Sequence, residues 1–427
     1  MKLKFANFKT AVSGEAVYPF IRNAIPVLIA LFLFFNPFPH TTAIKEICFY
    51  LSFVLLVVLL YFRKADFSIQ TPLSQPFLLF VVWCIFGLFF ALNKQNSLHD
   101  VYAHLIKYIA VYFLLINFLN TRKRFIYLIW SIIASAAIFS MGEMIQFYYV
   151  MGNSISTKLG LLHLTELPSN TIGIITLFGL LLAISLLGRE PIFYRRVVLA
   201  LCIFSTTIAT LLTQTRSALI AMIVSFIIII PKNKKVLIPL FLFLFVAATL
   251  LPVKNVLKTE NILKKIKGDD RIHIALLFIE MTKDYPIAGI GFGMQSYYDK
   301  TLLDKYNARV SIKYKQPVPH KAPHNFLVDV AVRTGLVGLG LFLYILFASI
   351  RMSWNVIRHA KDNFLSDWAL CCMGALFAIL IQGLFENTMS GPPAIVLYTV
   401  FAMMTILWHL NTGSETVVME NKENTST

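Results

Sequence analysis

The sequence predicts an all-α integral membrane protein, with about twelve transmembrane helices and one large periplasmic helical loop between spans 9 and 10. Hydrophobic residues make up 58% of the chain and charged residues only 14%, with a mean hydropathy of +0.72, a balance that a water-soluble domain does not carry. Apolar runs of about eighteen or more residues recur along most of the chain, enough for a helix to cross roughly 30 Å of hydrocarbon. Barrel strands would alternate in polarity and be about half as long, so helices are implied. One polar, basic stretch, 253–324, interrupts the pattern and leaves room for an extramembrane element.

Taken in order, the runs lie near 18–36, 43–62, 72–92, 100–119, 125–149, 170–188, 195–213, 217–231, 235–252, 325–350, 367–387 and 392–410. The first ends in NPFPH without a small-residue cleavage site, so it is expected to stay as span 1. Lys and Arg gather in alternate short segments: Lys2, Lys4, Lys9 and Arg22; Arg63 and Lys64; Arg122 to Arg124; Arg189, Arg195 and Arg196; Lys232, Lys234 and Lys235; Arg351, Arg358 and Lys361. By the positive-inside rule both termini are cytoplasmic and the insertion lies outside, which in a bacterial inner membrane is the periplasmic face. The same clusters account for the net charge of +17, which would otherwise suggest a nucleic-acid partner.

The expected organisation is therefore helices 1–9 over 1–252, a periplasmic loop with short helices over 253–324, helices 10–12 over 325–411, and a disordered cytoplasmic tail over 412–427. The five cysteines fall inside apolar runs, with neither metal-ligand nor disulfide-framework spacing, and read as small core residues. Two shorter outside loops, 151–170 and 386–393, share the face of the insertion. The second carries Glu386, Asn387 and two prolines suited to a first helical turn.

Chemistry is sought on that face. Arg216, in TLLTQTRSALIAM, is flanked by apolar sequence and breaks the positive-inside pattern. An arginine at such depth marks an anion site by default, the bland alternative being a side chain that snorkels to the interface. Arg271 opens a predicted helix over about 270–284, with Ile272, Ala275, Leu276 and Ile279 as its apolar face, ended by Pro286 and followed by GIGFG. From the residues alone, Arg271 reads first as a solvated charge paired with Asp269 or Asp270, either of which can also cap the helix. The third feature is KQPVPHKAPHNFLVDVAVRTGLVGLG, where His324 and Asn325 stand at the mouth of the next span after a Pro-stiffened approach. Imidazole titrates near neutrality and can take a proton from a sugar hydroxyl. His320 and Lys321 are weaker candidates for supporting roles, and Asp329, Arg333, Gly335 and Gly338 follow, the glycines suited to close helix packing. An interfacial histidine is more often structural than catalytic. His324 gains from its company on one face with Arg216 and Arg271.

These blocks resemble the bacterial O-antigen ligase family. His324 and Asn325, nine residues, then Gly335 and Gly338 match its histidine motif, while TQTRSAL and DDRI…DYPIAGIGFG look like its two arginine-bearing blocks. O-antigen polymerases and protein O-oligosaccharyltransferases share much of the pattern. The resemblance implies a metal-independent, cofactor-free glycosyltransferase of lipopolysaccharide biosynthesis. Such an enzyme moves O-antigen from undecaprenyl diphosphate to lipid A-core, with Arg216 and Arg271 on the diphosphate and His324 activating the acceptor hydroxyl. A lipid-linked glycan flippase or transporter is the competing class. It would place ionisable residues in mid-span and show paired halves, and neither pattern stands out here.

Overall fold

The computed structural model describes residues 17–160, 167–250, 270–311 and 322–413, except for the side chains of 270–272 and of much of 232–250. Every regular element among them is helical: α1 Val17–Phe35, α2 Thr42–Tyr61, α3 Ser74–Gly87, α4 Lys94–Phe118, α5 Arg122–Val150, α6 Ser169–Leu187, α7 Phe193–Leu212, α8 Arg216–Leu250, α9 Asp270–Asp284, α10 Lys300–Asn307, α11 Phe326–His359, α12 Asn363–Gly383 and α13 Gly391–Thr412. Nine helices among the described residues are long and apolar enough to cross a bilayer, with Ser74–Gly87 and Arg216–Pro231 as shorter apolar helices. This is a multi-pass membrane protein.

The expected break between spans 8 and 9 is not seen. The runs at 217–231 and 235–252 begin as one helix, α8, that continues through PKNKK to Leu250. Lysine is a good helix former, and that segment holds no glycine to stop the helix, so Pro231 is carried inside it. Helix α6 forms the middle of the bundle, with 89% of its apolar window buried against 22% for α1. It packs on α5, α7, α8 and α12, while α13 packs on α4, α11 and α12. Some hydroxyls in this core are satisfied locally: Thr210 donates to the Thr206 carbonyl at 2.7 Å and pairs with Thr176 at 2.7 Å.

The described part of the insertion is a small helical cap seated on α11. Helix α9 spans the expected residues, but its buried face is Ile274, Leu277, Phe278 and Met281, whereas Ile279 is 42% exposed. That corrects the face read from sequence. IHIALLFIEM offers two apolar stripes, and Tyr297, Leu303, Tyr306 and Val332 pack against the other one. The predicted capping carboxylate Asp269 lies outside the described residues.

Gly335 is not a helix-packing contact, as the sequence suggested, but a kink with φ 71° and ψ −178°. A side chain there would overlap the carbonyl of Ile287. The kink frees helix groups that the DYPIAGIGFG loop then satisfies. Ile290 N–H donates to Val332 O (2.8 Å), Gly291 N–H to Arg333 O (3.1 Å), and Leu336 N–H to Pro286 O (2.7 Å). On its other side the loop is held by α4, whose Ser97, Asp100 and Asn96 side chains accept from the amides of Gly293, Met294 and Gln295 at 3.1, 2.8 and 2.9 Å. A methyl on Gly291 or Gly293 would collide with α4 or the turn before it, so the glycines of GIGFG serve close backbone approach inside the protein.

Candidate active site

Asn325 caps α11: its side-chain oxygen accepts from Leu327 N–H (2.9 Å) and Val328 N–H (3.2 Å), and its amide donates to Leu384 O (3.1 Å). Its place beside His324 is thus explained by anchoring rather than chemistry. The cap ties the start of α11 to the end of α12 and forces a sharp turn just before it. His324 takes that turn with φ 43°, in the left-handed region that costs a non-glycine residue about 1–3 kcal/mol. Such strain is retained where the surroundings hold the residue for a reason.

What holds it is Glu386. His324 Nδ1 lies 3.0 Å from Glu386 Oε1, and the other carboxylate oxygen accepts from Asn170 Nδ2 at 2.7 Å. Asn387 N–H donates to Oε1 at 3.2 Å. Burial alone would push the Glu386 carboxyl up, but the hydrogen bond and charge of His324, with the bonds from Asn170 and Asn387, outweigh it, and the carboxyl sits below its ordinary 4.5. Glu386 is therefore ionised at neutral pH. An ionised partner accepts a hydrogen bond from Nδ1–H, and in that neutral tautomer the lone pair of a general base is on Nε2. The imidazole is 37% exposed and the carboxylate 16%, so the pair is wet on one side only.

Arg216 starts α8 at the same end of the bundle. Gly173, one turn along α6 from Asn170, lies under Ala218 and Thr215; a methyl on it would stand 3.2 Å from Ala218 Cβ and 3.6 Å from Thr215 Oγ1. The turn before Arg216 is pinned by Gln214, which has φ 47° and donates to Ser156 O at 3.1 Å in the 151–160 loop. Arg216 is half-buried and has no hydrogen-bond or ion-pair partner among the described residues. Arg271 stands in the first turn of α9, with its side chain outside the described residues, and His320 and Lys321 lie outside them altogether. The structure thus brings Arg216, His324, Asn170 and Glu386 to one end and leaves the other three candidates untested.

The blocks that carry these residues agree with a family comparison. A family model described as O-antigen ligase matches residues 197–343. This stretch is similar to the O-antigen ligase family. The family comprises enzymes of the ligase and polymerase type. The domain contains Arg216, Arg271, His324, Gly335 and Gly338, whereas Asn170 and Glu386 lie outside it on α6 and the α12–α13 loop. No curated protein matches the chain.

Glu386 and Asn170 are the residues of this arrangement that sequence reasoning did not propose as site residues. The available signal was an acidic residue in a short outside loop, on the face already selected by Arg216 and His324.

Asp329 and Arg333 are excluded from the site by their neighbours. Arg333 Nη1 bonds Asp329 Oδ2 at 3.2 Å, Nε donates to Phe292 O at 2.6 Å, and the guanidinium stacks on the Phe292 ring at 4.0 Å. The Tyr297 hydroxyl closes the cluster on Asp329. At 3% and 0% exposure these side chains lock the GIGFG loop to α11.

Proposed function

We propose that this chain transfers an O-antigen glycan from undecaprenyl diphosphate to the lipid A-core oligosaccharide, at the periplasmic leaflet of a bacterial inner membrane, without a metal. The observation that carries the reading is the His324–Glu386 pair: a half-exposed imidazole, held by an ionised carboxylate, at the end of the bundle that also bears Arg216, an arginine without an ion-pair partner among the described residues. Nε2 takes the proton of an acceptor hydroxyl as its oxygen attacks the anomeric carbon. The bond from that carbon to the diphosphate oxygen breaks, and the leaving lipid diphosphate keeps the electron pair. Glu386 steadies the imidazolium, and the guanidinium groups of Arg216 and Arg271 balance the charge that grows on the diphosphate. Proton and leaving group thus depart from opposite sides of the reacting carbon.

The test is a reconstituted reaction with purified protein, lipid-linked glycan and rough lipopolysaccharide, run with and without a chelator. Glycan on lipid A-core in both conditions is expected. Lengthening of the lipid-linked glycan with lipid A-core left unmodified assigns the polymerase activity instead, and loss on chelation restored by magnesium overturns the metal-free step. Arg216→Ala is expected to raise the KM for donor, with Arg216→Lys restoring it only in part, because an ammonium lacks the planar fork. Unchanged use of limiting donor by Arg216→Ala removes that residue from the diphosphate site.

A further inference from the structure

At the opposite end of the bundle, α3, α4 and α13 enclose a cavity of about 1340 Å³, larger than the roughly 300–1,000 Å³ of sites for small molecules. Its walls change polarity along one direction. On α3, Ser74 and Gln75 line the end of the helix, Phe77 and Leu78 the next positions, and Val81 the turn beyond. Helix α4 runs the other way and repeats the gradient, from Ile109 through Phe113 to Asn117 and then Asn120 beyond its end. The polar rim is preorganised: Ser68 N–H donates to Asn117 Oδ1 (2.8 Å), Asn117 returns a bond to Ser68 O (3.0 Å), and Thr71 pairs with Ser74 and Tyr112, each at 2.9 Å. Leu78 lines the cavity yet is 63% exposed on the flank of a membrane-spanning bundle, so the apolar part opens sideways. Arg122 lines the rim and is followed by Lys123 and Arg124. One Arg122 nitrogen is taken by Asp362, and a guanidinium has five N–H donors to share.

We propose that this cavity binds one anionic glycerophospholipid from the leaflet at the basic end, its phosphate at Arg122 on the polar rim, an acyl chain between α3 and α4. A small polar anion would leave the apolar wall empty, and a helix from a second copy would bury the polar rim. Only an amphiphile aligned with the bilayer normal satisfies both halves.

Trp408 lines the cavity and supplies the probe. Full-length protein in phosphatidylcholine vesicles is titrated with phosphatidylglycerol brominated on its acyl chains, and tryptophan fluorescence is followed. A saturable quenching component is expected that Trp408→Phe removes. Val81→Phe, which fills the apolar wall, should abolish it, and Arg122→Gln should weaken it about fivefold, the worth of one surface cation toward anionic lipid. Ile109→Phe serves as a second filling variant should Val81→Phe lower the yield. Quenching that survives Trp408→Phe, or both filling variants, reports only the lipid belt around the bundle and overturns the proposal. Displacement of the component by millimolar inorganic phosphate reassigns the cavity to free anions and overturns it as well.

Discussion

Helix α11 carries two charged clusters barely two turns apart, and they are built on opposite terms. At its mouth, His324 is strained, 37% exposed, and joined to one carboxylate that Asn170 and Asn387 share. Further in, Arg333 and Asp329 are buried, and they bond to each other, to the Phe292 carbonyl and to Tyr297. Both clusters meet the simple criterion of ionisable residues at membrane depth. The proposed reactivity is assigned to the first, because its imidazole is partly exposed and held by an ionised carboxylate. The second has spent its bonding capacity on holding a loop, and its contribution is to stability.

The sharpest test of this contrast is His324→Ala, which is expected to lose about a hundredfold to ten-thousandfold in turnover while keeping its thermal midpoint and donor binding. His324→Gln should be equally poor; near-normal turnover in that variant would remove the base role, because an amide cannot accept the proton. Arg333→Ala should fail the other way, losing about 3–5 kcal/mol of stability because Asp329 is left buried and unpaired. Denaturation in detergent measures it, and a stable but inactive Arg333→Ala would move this cluster into the site. Glu386→Gln should sit between, about tenfold to a hundredfold down in turnover with little change in stability, since the carboxylate orients the imidazole without taking the proton. Gly335→Ala should destabilise by about 1–3 kcal/mol as the new methyl meets Ile287, and full stability would show that the loop docking is looser than drawn.

The smallest effect concerns the cap over α11. Hydrogen bonds from Arg309 and Tyr306 hold the Asp284 carboxyl at about 2, below its ordinary 3.8. A carboxyl lowered on folding stabilises above its unfolded value and ceases to do so as pH falls through the folded one. Glu386, below 4.5, follows the same sign. Amide exchange in 270–311 should therefore quicken as pH drops from about 4 toward about 2, after correction for intrinsic rates, and Asp284→Asn should remove most of the change. Protection that is flat with pH in the unsubstituted protein would mean that this ion pair does not anchor the cap.

Much of this was legible before any coordinates. Run length and composition determined a helical membrane protein. The HN and RTGLVG blocks determined where to look for the base, and the arginine at 216 stood out because apolar sequence surrounds it. These are local properties: hydrophobic length, periodicity and the cost of a lone charge. The helix over 270–284 was likewise readable from its spacing, whereas its buried face was not, since two stripes were equally apolar and the partner surface chose Ile274 and Phe278. Only tertiary structure decided which ionisable groups meet. Asn170, His324 and Glu386 are separated by long stretches of chain, and the hydrogen bonds that join them depend on α6, α11 and α12 ending at one level. Gly335 was expected at a helix-packing contact, whereas the tertiary structure makes it a kink packed against the Ile287 carbonyl, and it is packing that names the neighbours of the GIGFG glycines. Sequence determines what each segment is able to do alone, and packing determines which polar groups still have bonds to offer.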